Sequence, residues 1–157
     1  MQRKTWKTYL FYIALSEGVG LLAGLLTREA TKIYAQTIQK PPLSPPALLF
    51  PIVWTALYAL MGISAARVSL STPSAARKRA LYVFVAQLVL NFFWSILFFN
   101  LQAFGVAFFE LLALWALILA MVILFRRIEP LAGYLQIPYL LWVSFAAYLN
   151  AGVWMLN

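Results

Sequence analysis

The sequence has 157 residues, 64% hydrophobic and only 10% charged, with a mean hydropathy of +0.86 and a formal net charge of +8. Apolar runs near the ~20 residues needed to cross a bilayer recur along it, so it reads as an all-α integral membrane protein, one domain over residues 1–157, with no room for a sizeable soluble domain. It contains no Cys or His, which excludes metal and haem ligation through either residue and Cys or His nucleophile and base chemistry; the positive charge, without a soluble basic face, reads as loop charge meeting anionic lipid, not nucleic acid.

Cutting the chain at charge and proline predicts five spans. The first runs from Trp6 to Leu26. Arg3, Lys4 and Lys7 before an apolar run resemble a signal peptide, but Glu17 and the lack of a small-residue cleavage site predict a retained helix. Ser16, Gly20 and Gly24 form a small-xxx-small ridge suited to close helix approach, within the bundle or between subunits. Glu17, in mid-span, reads either as part of a proton-coupled binding site or as an acid bonded to a neighbouring helix.

Arg28 to Gln39 lacks a spanning run but is long enough for a short helix. In KPPLSPP that follows, four prolines within residues 41–46 fix φ and remove backbone donors, predicting a stiff extended crossover that covers the next helix as a lid. The second span, Ala47 to Val68, carries Pro51 near its start, where a helix tolerates proline. Trp54 and Tyr58, four residues apart, share one face beneath the lid and read as a pocket wall.

Residues 69–79 read as a polar loop leading to the third span, Leu81 to Phe99. Gln87, Asn91, Trp94 and Phe98 step by four, three and four, so they form one stripe that must face protein or a cavity. Gln87 and Asn91 serve there either as glue between helices or as polar groups of a cavity. The link at Asn100 to Ala103 is so short that the third and fourth spans must be antiparallel neighbours. The fourth span, Phe104 to Phe125, contains Glu110, read as structural, and Trp115, assignable to core or lipid. In the fifth, Leu131 to Met155, Trp142, Ala146 and Leu149 share a face with Asn150 at its edge, and Pro138 is expected to kink the helix. Trp6 and Trp154, at span ends, read as interfacial anchors.

Nine Lys and Arg fall on the side of the N-terminus, residues 67–79 and Arg126–Arg127, against Arg28, Lys32 and Lys40 on the other. The positive-inside rule then places the N-terminus in the cytoplasm of a bacterial-type cell, with the lid and C-terminus outside.

The succession KPPLSPP, FPIVWTALYALMG, QLVLNFFWSILFF and IPYLLWVSFAAYLN resembles the translocator protein family, also called tryptophan-rich sensory proteins or TspO, from about Tyr34 to the C-terminus. The resemblance implies a five-transmembrane-helix bundle with a helical, proline-rich first loop as lid, a pocket in the half closed by that loop, and a homodimer. It also implies binding of porphyrins without an obligatory cofactor. Residue by residue, Tyr34, Pro45 and Pro46 match the lid; Trp54 and Tyr58 the second helix; Gln87, Asn91, Trp94 and Phe98 the third; and Trp142, Ala146 and Leu149 the fifth. Glu110 matches a common acidic position, whereas Leu43 stands where members usually carry Trp, implying a less aromatic lid. The animal sterol motif is not matched, because no basic residue follows Asn150.

Tryptophans at 54, 94 and 142 suit the faces of a flat macrocycle, with Gln87 and Asn91 at a polar edge and Arg28, Lys32 or Lys40 near its propionates. Porphyrin or drug-like ligand binding with a sensory or tetrapyrrole-handling role is the expected function. The alternatives are a proton-coupled transporter built on Glu17 and a light-dependent porphyrin-degrading enzyme using tryptophans as electron donors. No nucleophile and base constellation points to hydrolysis.

Overall fold

The structure, a computed structural model, describes residues 2–157, with side chains from Lys4 onward. The described residues form α1 (Gln2–Leu26), α2 (Arg28–Thr37), α3 (Leu49–Ser69), α4 (Ala75–Ser95), α5 (Phe104–Ile128), α6 (Pro130–Tyr134) and α7 (Ile137–Leu156), with no strand among them. A π-turn at Ile96–Asn100 extends α4, closed by Leu101 N–H donating to the Ile96 carbonyl. Five segments are long and apolar enough to cross a membrane: α1, α3, α4 with its π-turn, α5, and α6 with α7. The protein is therefore a multi-pass, five-span helical membrane protein.

Local chemistry accounts for the helix ends. Ser74, in extended backbone, caps α4 by accepting from Arg77 N–H at 3.0 Å, so that helix starts six residues before the apolar run and the preceding loop shrinks to residues 70–74. Pro51 lies in the first turn of α3, where its missing N–H leaves no helical bond unmade. The fifth span differs from expectation. It breaks at residues 135–136 into α6 and α7, and Pro138 falls in the first turn of α7, so it starts that helix instead of kinking it.

α3 packs against α1, α4 packs against α5, and α5 packs against α7, with α6 seated between α3 and α5. The α1–α3 approach centres on Gly62: a Cβ there would collide with the backbone of Ile13. The main core, including Met61, Phe84, Met121, Phe125 and Tyr139, fills the half of the bundle opposite the proline segment. Above it, in the proline-segment half, the helices enclose a cavity.

Candidate functional site

Burial of Tyr139 beneath that cavity is made tolerable by a relay of hydrogen bonds across three helices. Tyr58 OH on α3 donates to Asn91 Oδ1 on α4 (2.5 Å), Asn91 Nδ2 donates to Tyr139 OH on α7 (2.7 Å), and Tyr139 OH donates to Gln87 Oε1 (2.7 Å). Gln87 Nε2 ends the chain on Met61 Sδ at 3.8 Å. Each buried polar atom in this run thus has a partner, which an apolar surrounding demands.

The cavity has a volume of about 540 Å³. From α3, Trp54 and Tyr58 face it with ring centroids 5.5 Å apart and planes tilted by 32°. From α4, Asn91 and Trp94 line it, and the π-turn adds Phe98, whose ring stacks on Trp94 at 4.9 Å. From α7 come Trp142, Ala146, Leu149 and Asn150. Asn150 orients the wall: its Oδ1 accepts from Trp94 Nε1 at 3.0 Å while its Nδ2 donates to the Phe104 carbonyl at 2.8 Å. Trp94 consequently turns its ring, with its N–H already engaged, toward the space.

The cover comes from α2 and the segment that follows it. Tyr34 and Pro45 line the cavity, and Lys40 Nζ lies over the Tyr34 ring at 5.1 Å. Burial pushes the Tyr34 hydroxyl above its usual value. The proline segment is not straight: it turns at residues 42–43, with Leu43 in left-handed backbone at φ 69°, exposed and outside the lining. Tyr148 OH donates to the Pro42 carbonyl at 2.7 Å, and Asn157 exchanges two hydrogen bonds with the backbone of Gln39, at 2.9 and 3.1 Å. These bonds latch the cover to the C-terminal end of α7.

Ten of the twelve residues singled out from the sequence border this cavity. Pro46 and Gln87 do not: Pro46 is exposed beyond the turn, and Gln87 is wholly buried below in the polar relay, one helical turn under Asn91. Of the three expected cations, only Lys40 borders the cavity, while Lys32 pairs with Glu29 at 3.1 Å on the exposed face of α2. Glu110 lies outside the lining, with both carboxyl oxygens buried and no hydrogen-bond partner among the described residues. Trp115 is half-buried and donates to Ser144 Oγ at 2.8 Å, joining α5 to α7. Sequence reasoning missed Tyr139 and Phe50, and of the α1 wall it singled out only Glu17 as a binding-site candidate. Glu17, Gly20, Leu21 and Gly24 of α1 all line the cavity at i, i+3, i+4 and i+7, a spacing that was readable as one helical face.

Five membrane spans around an aromatic cavity latched shut by a proline-rich cover define a multi-pass helical membrane protein with a small-molecule-sized internal site. The chain belongs to the TspO/MBR family, whose sequence model matches residues 12–155. It is similar to the tryptophan-rich protein TspO of Chlorobaculum tepidum, 36% identical over 154 residues and 96% of each chain. The tryptophan-rich sensory protein of Cereibacter sphaeroides is 30% identical over 152 residues, 97% of this chain and 92% of its own. The translocator protein of Homo sapiens is 32% identical over 149 residues, 94% of this chain and 88% of its own.

Proposed function

We propose that this protein binds porphyrins, and flat apolar drug-like molecules of similar size, in the cavity under the proline-rich cover. The carrying observation is a space of about 540 Å³ bordered by Trp54, Trp94 and Trp142, within the range of small-molecule sites. Ring stacking on a macrocycle contributes roughly 0.5–1.5 kcal/mol per well-placed pair beyond burial. Lys40 holds the Ala35 and Ile38 carbonyls at 3.2 and 3.3 Å, which leaves its third N–H for a propionate at the mouth. Names of relatives, tryptophan-rich sensory protein and translocator protein, support a sensory or translocating role at the membrane. The nine-to-three distribution of Lys and Arg supports an N-terminus in the cytoplasm and a cover on the outer face.

The test is a protoporphyrin IX titration of purified protein followed by tryptophan quenching, beside the double variant Trp54→Leu with Trp142→Leu and the single variant Asn91→Ala. Saturable binding that weakens in both variants is expected. Binding of unchanged affinity in the double variant would overturn the assignment of the cavity. Glu17 on the cavity wall favours a second reading, proton-coupled transport. It predicts ligand flux in proteoliposomes driven by a pH gradient and abolished by Glu17→Gln; flux that survives the substitution would remove it.

A further inference from the structure

Among the described residues Glu17 is the only carboxylate that borders the cavity, and it forms no hydrogen bond or ion pair with any of them. An acid at membrane depth without a protein partner is costly. Its surroundings are particular. Gly20, one turn away on the same face of α1, leaves the space that the Tyr58 ring occupies, since a Cβ at position 20 would collide with that ring. Glu17 lines the same cavity as Tyr58, whose ring faces that of Trp54 at 5.5 Å. A carboxylate that shares a cavity wall with two electron-rich rings is the chemistry that holds an alkylammonium group, by charge on one side and by cation–π attraction on the other.

The position also fits delivery from the membrane. Leu21 and Gly24 on α1, and Pro51 and Thr55 on α3, line the cavity yet are exposed on the side of the bundle. A Cβ at Gly24 would meet nothing within 4 Å, whereas one at Gly62 would strike α1. The two helices are therefore pressed together at Gly62 and again where Gly20 meets the Tyr58 ring, and beyond that contact, at Leu21, Gly24, Pro51 and Thr55, the cavity lining reaches the side of the bundle one to two turns from Glu17. Lys40, the cation bordering the cavity, sits at the other end, under the cover.

Resting on the reading of this cavity as a ligand site, we infer that its α1 wall is an ammonium subsite: Glu17, with the faces of Tyr58 and Trp54, binds the protonated nitrogen of an apolar aromatic amine. Charge recognition supported by cation–π attraction should give a preference of about tenfold over a neutral isostere, about 1.4 kcal/mol.

The experiment uses the full chain in zwitterionic nanodiscs and two probes, a pyrenylbutyl dimethylamine and its uncharged analogue with CH in place of the nitrogen, read by tryptophan-to-pyrene energy transfer. Each is titrated on the wild type and on Glu17→Gln, with protoporphyrin IX alongside. The ratio of the two affinities is the readout, so a general change in the pocket divides out. The expected result is a preference for the amine of about tenfold that falls to near unity in Glu17→Gln. A ratio near one in the wild type, or a preference that persists in the variant, overturns the subsite. If the amine fails to bind while protoporphyrin IX binds, the subsite alone is lost; if neither binds, the cavity reading falls with it.

Discussion

Tyr58 on α3 donates its hydroxyl proton to Asn91 Oδ1 on α4 across 2.5 Å, a bond at the floor of the cavity where both residues are buried. Asn91 also supports Tyr139 through its amide, so one side chain joins three helices. Removing it in Asn91→Ala leaves the Tyr58 hydroxyl without its acceptor and takes one donor from Tyr139, which keeps its bond to Gln87, and should destabilise the bundle by about 1–2 kcal/mol, read as a lower unfolding midpoint in detergent. Tyr139→Phe cuts the same relay from below, where the residue does not border the cavity. It should therefore lose a similar amount of stability with porphyrin affinity little changed, while Asn91→Ala loses both. Equal loss of affinity in the two variants would mean that the relay, not the cavity wall, governs binding.

The cover is held by few bonds, which makes its opening adjustable. Tyr148→Phe combined with Asn157→Ala removes the bonds to Pro42 and Gln39, each worth about 1 kcal/mol net. If ligand passes under the cover, association and dissociation of protoporphyrin should both quicken by about tenfold in stopped-flow quenching, with the equilibrium affinity changed much less. Rates that stay constant would direct ligand traffic to the side of the bundle between α1 and α3.

Close packing of α1 on α3 depends on Gly62. Gly62→Ala places a methyl against the Ile13 backbone, which cannot yield as a side-chain tip would. A loss of about 1–3 kcal/mol in unfolding stability is expected. Gly18→Ala is the matched control, because a Cβ there meets nothing within 4 Å and alanine is the better helix former. A Gly62→Ala protein as stable as the control would show that the two helices are free to separate.

Much of this architecture was legible because membrane depth punishes unpaired polar groups. The stripe Gln87, Asn91, Trp94 and Phe98 could face only protein or cavity, and all four positions turn inward. Proline chemistry announced a helix-free crossover after α2, but not its turn at Leu43, since a leucine in left-handed backbone carries no local signal. Contacts distant in sequence were silent. Tyr139 looked like one more apolar residue because its partners, Gln87 and Asn91, lie some fifty positions away on another helix. Gly20 and Gly24 of the α1 wall were read as part of a packing ridge, since small residues suit a neighbouring helix and a neighbouring cavity equally well, while Glu17 beside them already read as a binding-site candidate. The break between α6 and α7 was hidden inside a continuous apolar run.

Outside the membrane spans, Glu129 offers a pH-dependent reading of the fold. Arg67 grips it with two bonds, Nε to Oε2 at 2.6 Å and Nη2 to Oε1 at 3.1 Å, while the same carboxylate caps α6 by accepting from Ala132 N–H. The hydrogen bond from Arg67 holds its carboxyl below the ordinary value of 4.5. A carboxylate whose folded value is depressed adds stability above its unfolded value and loses it as pH falls through the folded one. With the two side chains 33% and 26% exposed, the pair and cap together are worth about 1 kcal/mol. The wild type should therefore be more stable than Glu129→Gln at pH 7, and the gap should close below about pH 4.5 as both proteins are titrated in thermal melts. A gap that is constant down to pH 3 would show that the glutamate acts at this end of the bundle through its shape and not through its charge.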